Sequence, residues 1–272
     1  MAATEPVHFF DITSNLSGPS KSWSPNTIKT RLVLNYKRIP YTQSFLSYPD
    51  IAPVLKQLSV PPLEGLMPYT LPAIIHKPSV TSNPSGAMND SFPIALHLEE
   101  AFPAPTYPSI FPSGDASYSL AVAVDRIFSD VFKKAFPLVA ARVPGILDER
   151  GSKYFHETRE KWFGKPLSEV GPQSAEEVEA MWTETEKELQ VLARMLEGPD
   201  GKARKGPFFE GDKASYADFL LLGFLAFFER VNREIFEKLM AMRGGVFKAL
   251  WDASTQWVDG QGEEKEWPVP QN

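Results

Sequence analysis

The chain reads as an α+β first part, of element order β-α-β then β-β-α, followed by an all-α helical bundle. Three observations lead there. Short apolar segments alternate with capped helices up to Ala101; prolines crowd the stretch Phe102 to Gly114; and beyond it the apolar residues recur only at helical spacing. Boundaries follow at 1–103 for the first domain, 104–114 for a linker and 115–272 for the second domain.

Each element has a local reason. Val7-His8-Phe9-Phe10-Asp11-Ile12 is a short apolar strand, and a polar loop leads from it to Ser24-Pro25. Serine is a preferred N-cap and proline a tolerated first helical residue, so a helix is expected from there to about Lys37. Tyr41 to Leu46 alternates with period two and reads as the second strand. Asp50 is expected to cap a short helix with Pro53 in its first turn. A loop from Pro61 to Pro68 precedes the third strand, Leu71 to Ile75; Ala87-Met88-Asn89 is the fourth, and a helix runs from Ser91 to Ala101.

In the second part, Leu120, Val124, Ile127, Phe128, Val131 and Phe132 mark one long amphipathic helix. Ser174-Ala175-Glu176-Glu177 opens another as a capping box, and Gly198-Pro199 stops it. Ser215-Tyr216-Ala217-Asp218 caps a helix that is apolar on every side from Phe219 to Phe228, which places it at the centre of the bundle. Two further helices are expected at about 232–242 and 246–258.

Composition narrows the chemistry. The 272 residues contain no cysteine, so a disulfide, a thiolate metal site and a cysteine nucleophile are excluded. A net charge of −6 argues against a nucleic-acid surface, and all of it falls beyond residue 103, because the first 103 residues carry seven basic and seven acidic side chains. Four histidines (His8, His76, His97, His156) show no ligand spacing, so no metal is expected. The longest apolar run is too short for a membrane span, and the N-terminus lacks signal-peptide features; a cytoplasmic protein is expected.

Three short motifs allow both a structural and a chemical reading. Ser24 caps a helix, and its hydroxyl also lies at the positive end of the helix dipole, where a thiolate is stabilised. Pro72 begins a strand; with a cis bond it would expose the backbone of Leu71 to an extended peptide. Ser91 caps the third helix, and with Asp90 it could hold the carboxylate and ammonium of a free amino-acid head group. The common ligand of these readings is a γ-glutamyl tripeptide thiol.

In that order and spacing, Leu71-Pro72, Asp90-Ser91 and Ser215-Tyr216-Ala217-Asp218 resemble the cytosolic glutathione transferases over essentially the whole chain. Ser22-Trp23-Ser24-Pro25-Asn26-Thr27, Tyr48-Pro49-Asp50-Ile51 and Tyr69-Thr70-Leu71-Pro72 look like the fungal etherase-related members, most of all the fungal-specific A class of wood-decay fungi. The resemblance implies a thioredoxin-like first domain and glutathione as co-substrate, without a metal. It implies Ser24 as the thiolate donor, with Ser22 and Asn26 as the other donors in reach. Leu71 would pair with the cysteinyl backbone beside a cis Pro72. Asp90 and Ser91 would hold the γ-glutamyl group, and Lys56 and Gln57 the glycyl carboxylate.

The electrophile site would lie between the domains, with Tyr118, Val122, Asp125 and Arg126 of the first long helix as contacts. The implied activity is conjugation or reduction of small aromatic or hydrophobic electrophiles and peroxides in detoxification, with binding of plant polyphenols, by a homodimer. The alternative is a ligandin-type carrier of aromatic compounds on the same fold. Two departures stand out: the stretch Leu58–Tyr69 is longer than the usual link, and Phe9, Phe10 and Asp11 stand where other classes place a catalytic tyrosine.

Overall fold

The computed structural model of the chain describes residues 5–199 and 205–270. It divides into two compact units: the described residues of Met1–Ser109, Leu147–Tyr154 and Trp257–Asn272 form the first, and Ile110–Ile146 with Phe155–Gln256 form the second. Neither unit is continuous in sequence, unlike the division at 103 and 115 read from the prolines.

The first unit is built on a five-stranded sheet. Its strands are β1 (Val7–Ile12), β2 (Tyr41–Leu46), β3 (Ala73–Ile75), β4 (Ala87–Asn89) and β5 (Glu263–Glu264), in spatial order β4-β3-β1-β2-β5. β1 runs parallel to β2, from Val7 opposite Tyr41 to Ile12 opposite Leu46. β3 is antiparallel to β1 and β4 to β3, with Phe10 opposite Ala73 and Ala73 opposite Asn89. Helices α1 (Pro25–Lys37), α2 (Tyr48–Gln57) and α3 (Ser91–Ala101) complete the thioredoxin-like arrangement. Central β1 is buried along nearly its whole length, which explains its almost unbroken apolar run.

Two expectations change here. α2 begins at Tyr48 behind Ser47, whose backbone is extended, with Pro49 in the first turn; Asp50 is not its cap. Instead both Asp50 carboxylate oxygens accept from Arg150, at 3.0 and 2.5 Å. The end of the chain is not wholly helical either. Glu263 and Glu264 add β5 parallel to β2, so an edge that would otherwise present unpaired backbone groups is covered.

The first unit also buries two cations. Arg31 is fully buried and donates to the carbonyls of Pro19 (3.2 Å) and Val258 (2.7 Å). Lys37, equally buried, reaches Glu99 Oε2 at 2.5 Å and the Pro108 carbonyl at 2.9 Å, while Ser109 donates to the same carboxylate. These bonds tie the proline-rich segment as far as Ser109 to the first unit.

The second unit is helical: α4 (Asp115–Ala135), α5 (Pro137–Ala140), α6 (Glu149–Phe163, of which 149–154 belong to the first unit), α7 (Ala175–Glu197), α8 (Tyr216–Val231), α9 (Arg233–Ala241) and α10 (Val246–Val258, of which 257–258 belong to the first unit). α4 packs on α7 and α8. α8 is buried from Tyr216 through Phe228, and its capping box is complete. Asp218 Oδ2 accepts from the Ser215 amide and Oδ1 from the Phe209 amide, both at 2.8 Å. Burial pushes the Asp218 carboxyl up to about 7 against the pull of these bonds. No sequence signal marked α6, because its few apolar positions are diluted by charged residues and a glycine. Among the described residues no helix is long and apolar enough to cross a membrane.

Candidate functional site

The C-terminal ends of β1 and β4 and the start of β3 lie at one end of the sheet, and the candidate residues gather there. The Leu71–Pro72 peptide bond is cis, immediately ahead of β3. The Asp90 amide donates to the Pro72 carbonyl at 3.2 Å, which sets the start of α3 beside that bond. Asp90 is exposed with a positive φ of 75°, and it serves as the N-cap residue; Ser91, nearly buried, is the first residue of α3. An exposed carboxylate therefore sits next to a hydroxyl and a turn of helix N–H groups, a pairing that can take both charges of an amino-acid head group.

Ser24 is the N-cap residue of α1, in extended conformation, with Pro25 next. It is only 6% exposed and its side chain makes no capping hydrogen bond. Ser22 differs: its hydroxyl donates to Asp11 Oδ2, and it is fully buried. A serine has one proton to give, so a Ser22 that donates to Asp11 has none for a ligand. Asn26 is exposed, with its side-chain oxygen accepting from Lys29 at 3.0 Å.

Beneath Ser22, Asp11 is completely buried, and its second oxygen accepts from the Ile12 amide at 2.7 Å. Burial raises its pKa, while nearby Arg31, the Ser22 hydroxyl and the Thr27 side chain pull it back. Thr27 also donates to the Ser24 carbonyl at 3.1 Å. Asp11, which stands where other classes place a tyrosine, carries a sequence signal of its own, an acidic residue inside an otherwise apolar strand.

Lys56 and Gln57 are exposed at the end of α2, and Lys56 Nζ lies 5.3 Å from the ring centre of Tyr69, two residues before Leu71. In the second unit, Tyr118, Val122, Asp125 and Arg126 share the exposed side of α4. Tyr118 also contacts Phe111 edge-on at 6.2 Å, and Arg126 pairs with Asp130 at 3.0 Å. Among the described residues no group of three or more acidic or histidine side chains could hold a metal.

A thioredoxin-like sheet with a cis proline before β3, joined to an all-helical unit with a capping box at its central helix, defines the glutathione transferase fold. A family model described as "Glutathione S-transferase, C-terminal domain" matches residues 119–257. The glutathione S-transferase-like protein ustS of Aspergillus flavus is 52% identical, in an alignment covering 100% of this chain and 98% of that protein. The chain belongs to the glutathione S-transferase family.

Solved structures agree. A Ceriporiopsis subvermispora glutathione S-transferase, CsGST63524, crystallised with glutathione, is 29% identical with a TM-score of 0.80, covering 93% of this chain and 98% of that one. The glutathione transferase GSTFuA3 of Phanerochaete chrysosporium is 30% identical with a TM-score of 0.76, covering 94% and 98%.

Proposed function

We propose that this chain is a serine-type glutathione transferase in which Ser24 stabilises the glutathione thiolate. The observation that carries the reading is the division of labour between two hydroxyls: Ser22 gives its proton to Asp11, and Ser24 at the start of α1 makes no capping bond. A free thiol has a pKa of ~8.5 and reacts as the thiolate. One hydrogen bond from Ser24, added to the helix N-terminus, lowers that pKa and raises the reactive fraction at neutral pH.

The remaining assignments follow the tripeptide. Asp90 accepts from the α-ammonium, Ser91 and the first amides of α3 receive the α-carboxylate, the Leu71 backbone pairs with the cysteinyl unit, and Lys56 with Gln57 meets the glycyl carboxylate. Residues 1–103 thus supply the glutathione domain. Within 115–272, Tyr118, Val122, Asp125 and Arg126 contact the co-substrate, an aromatic or other small hydrophobic electrophile; plant polyphenols are the proposed bound class.

In conjugation the thiolate forms a C–S bond as the leaving group departs with the electron pair. In peroxide reduction it attacks one peroxide oxygen, forming an S–O bond as the O–O bond breaks and the other oxygen leaves as an alkoxide that is protonated to the alcohol; a second glutathione then converts the sulfenic acid to the disulfide and water. With no cysteine in the chain, a protein–glutathione mixed disulfide has no partner here. By the same resemblance the proposed assembly is a homodimer acting in cytoplasmic detoxification.

The test is an ultraviolet titration of bound glutathione across pH with wild type and Ser24→Ala. A depressed thiol pKa that the variant loses supports the transferase. Binding with no depression in wild type overturns serine activation and favours the alternative, a carrier of aromatic compounds.

A further inference from the structure

The segment between β1 and α1 carries Ser22, Trp23 and Ser24, and apart from one 3-10 turn at Gly18–Lys21 it has no regular structure. Its hold on the fold comes largely from side chains. From within, Trp23 Nε1 donates to the Thr13 carbonyl at 3.2 Å and Ser14 to the Lys21 carbonyl at 2.9 Å. Asp11 accepts from Ser22, the Thr13 amide donates to the Leu46 carbonyl at 2.9 Å and Asn15 Nδ2 to the Leu147 carbonyl at 2.6 Å. The Gly18–Lys21 turn is held in addition from the far end of the chain. Gln261 Nε2 donates to the Gly18 carbonyl at 2.7 Å, Glu264 pairs with Lys21 at 2.5 Å, and Arg31 joins the carbonyls of Pro19 and Val258.

The end of the chain is itself firmly seated on the sheet. Asn35 Nδ2 donates to the carbonyls of Trp257 (2.7 Å) and Gly260 (3.0 Å). The Lys265 amide donates to the Gln43 carbonyl at 2.8 Å, and Ser44 donates to the Lys265 carbonyl at 2.5 Å. The Trp267 ring lies 4.7 Å from His8 and 4.8 Å from Phe10, centre to centre. Gly262 has no room for a side chain against β2: a Cβ there would stand 2.6 Å from the Tyr41 ring and 2.7 Å from its carbonyl.

We propose that Val258–Trp267 is a strap that positions the thiol-site segment, with Gln261 and Glu264 as positioning residues for Ser24. This rests on Ser24 being the thiolate donor. The strap touches neither the reacting sulfur nor the head-group residues in this reading; it restricts the loop on which the donor hydroxyl rides. A hydrogen bond to a thiolate weakens steeply with misplacement, so a loosened loop forfeits the pKa depression before it forfeits binding.

The experiment compares wild type, Ser24→Ala, Gly262→Val and the double variant Gln261→Ala/Glu264→Gln, using glutathione with a chlorodinitrobenzene. Gly262→Val wedges the strap off β2, and the double variant leaves it seated but removes its two direct side-chain ties to the Gly18–Lys21 turn, the Arg31 link remaining. For both, glutathione Kd is expected within about twofold of wild type, while kcat/KM falls about tenfold near pH 6.5 and recovers near pH 9.5, where the thiol ionises unaided. A merely destabilised fold would lose rate at both pH values.

The double variant, which makes no steric demand, carries the test if Gly262→Val does not fold. A wild-type pH profile in the double variant overturns the inference while leaving the donor assignment standing. A wild-type profile that Ser24→Ala fails to move overturns the donor assignment, and this inference with it.

Discussion

At the residue scale the site turns on which hydroxyl is free to give a proton. With Ser24 in its proposed role, Ser24→Ala removes a charge-assisted hydrogen bond of about 1.5–3 kcal/mol, so the thiol pKa of bound glutathione is expected to rise by about one to two units in the ultraviolet titration. Ser22→Ala should leave that pKa near wild type and instead lower stability by about 1–3 kcal/mol in chemical denaturation, because it strips a partner from the buried Asp11. Sequence alone could not rank these two serines, since both are small, polar and near the helix start; only the position of Asp11 separates them. His8 adds a pH dependence. Burial, and then the charge of Lys265, lower its pKa from 6.5 to about 4. A histidine kept neutral in the fold contributes stability that is fully present above the ordinary value and is lost as pH falls from about 6.5 towards 4. Thermal melting of His8→Gln across that window should show a flatter decline than wild type.

At the element scale the most legible feature was the capping box of α8. An all-apolar helix needs its first amides paired, and Ser215-x-x-Asp218 states how. Asp218 accepts two backbone bonds on separate oxygens, and the single carbonyl oxygen of an asparagine cannot reproduce both on the same atoms. Asp218→Asn is expected to destabilise by about 1–3 kcal/mol in denaturant titration, with an intact glutathione pKa shift in the protein that remains folded. The start of α2 was less legible. Asp50 looked like a cap because acidic residues favour helix starts, yet Ser47 and Pro49 set that boundary and Asp50 is engaged by Arg150. β5 was invisible, because two exposed glutamates carry no strand signal. Its formation depends on an open edge at β2 that no local pattern reveals.

For the molecule as a whole, binding and folding are linked. Glutathione that binds only the folded first unit stabilises that unit by about 2.7 kcal/mol at a hundredfold excess over Kd. Calorimetry with and without glutathione should therefore raise the transition of the first unit. With Asp90 in its proposed head-group role, Asp90→Ala should reduce the rise, as the loss of one ionic hydrogen bond weakens Kd by about ten- to a hundredfold. A rise unchanged in Asp90→Ala would remove that residue from the head-group site. With two units, melting need not be two-state, so the transitions are compared one by one.

The sequence by itself determined the β-α-β then β-β-α first part, the central apolar helix and the absence of any protein thiol. These are local or compositional properties: periodicity, capping chemistry and the lack of cysteine are readable without knowing what touches what. The tertiary structure alone decided that Asp11 takes the Ser22 proton, that Asp50 meets Arg150 rather than capping α2, and that the end of the chain returns to the first sheet. Asp11 and Ser22 meet across the loop between β1 and α1, 11 positions apart, while Asp50 and Arg150 are 100 apart and Lys21 and Glu264 are 243 apart; such pairings depend on packing geometry, not on local propensity.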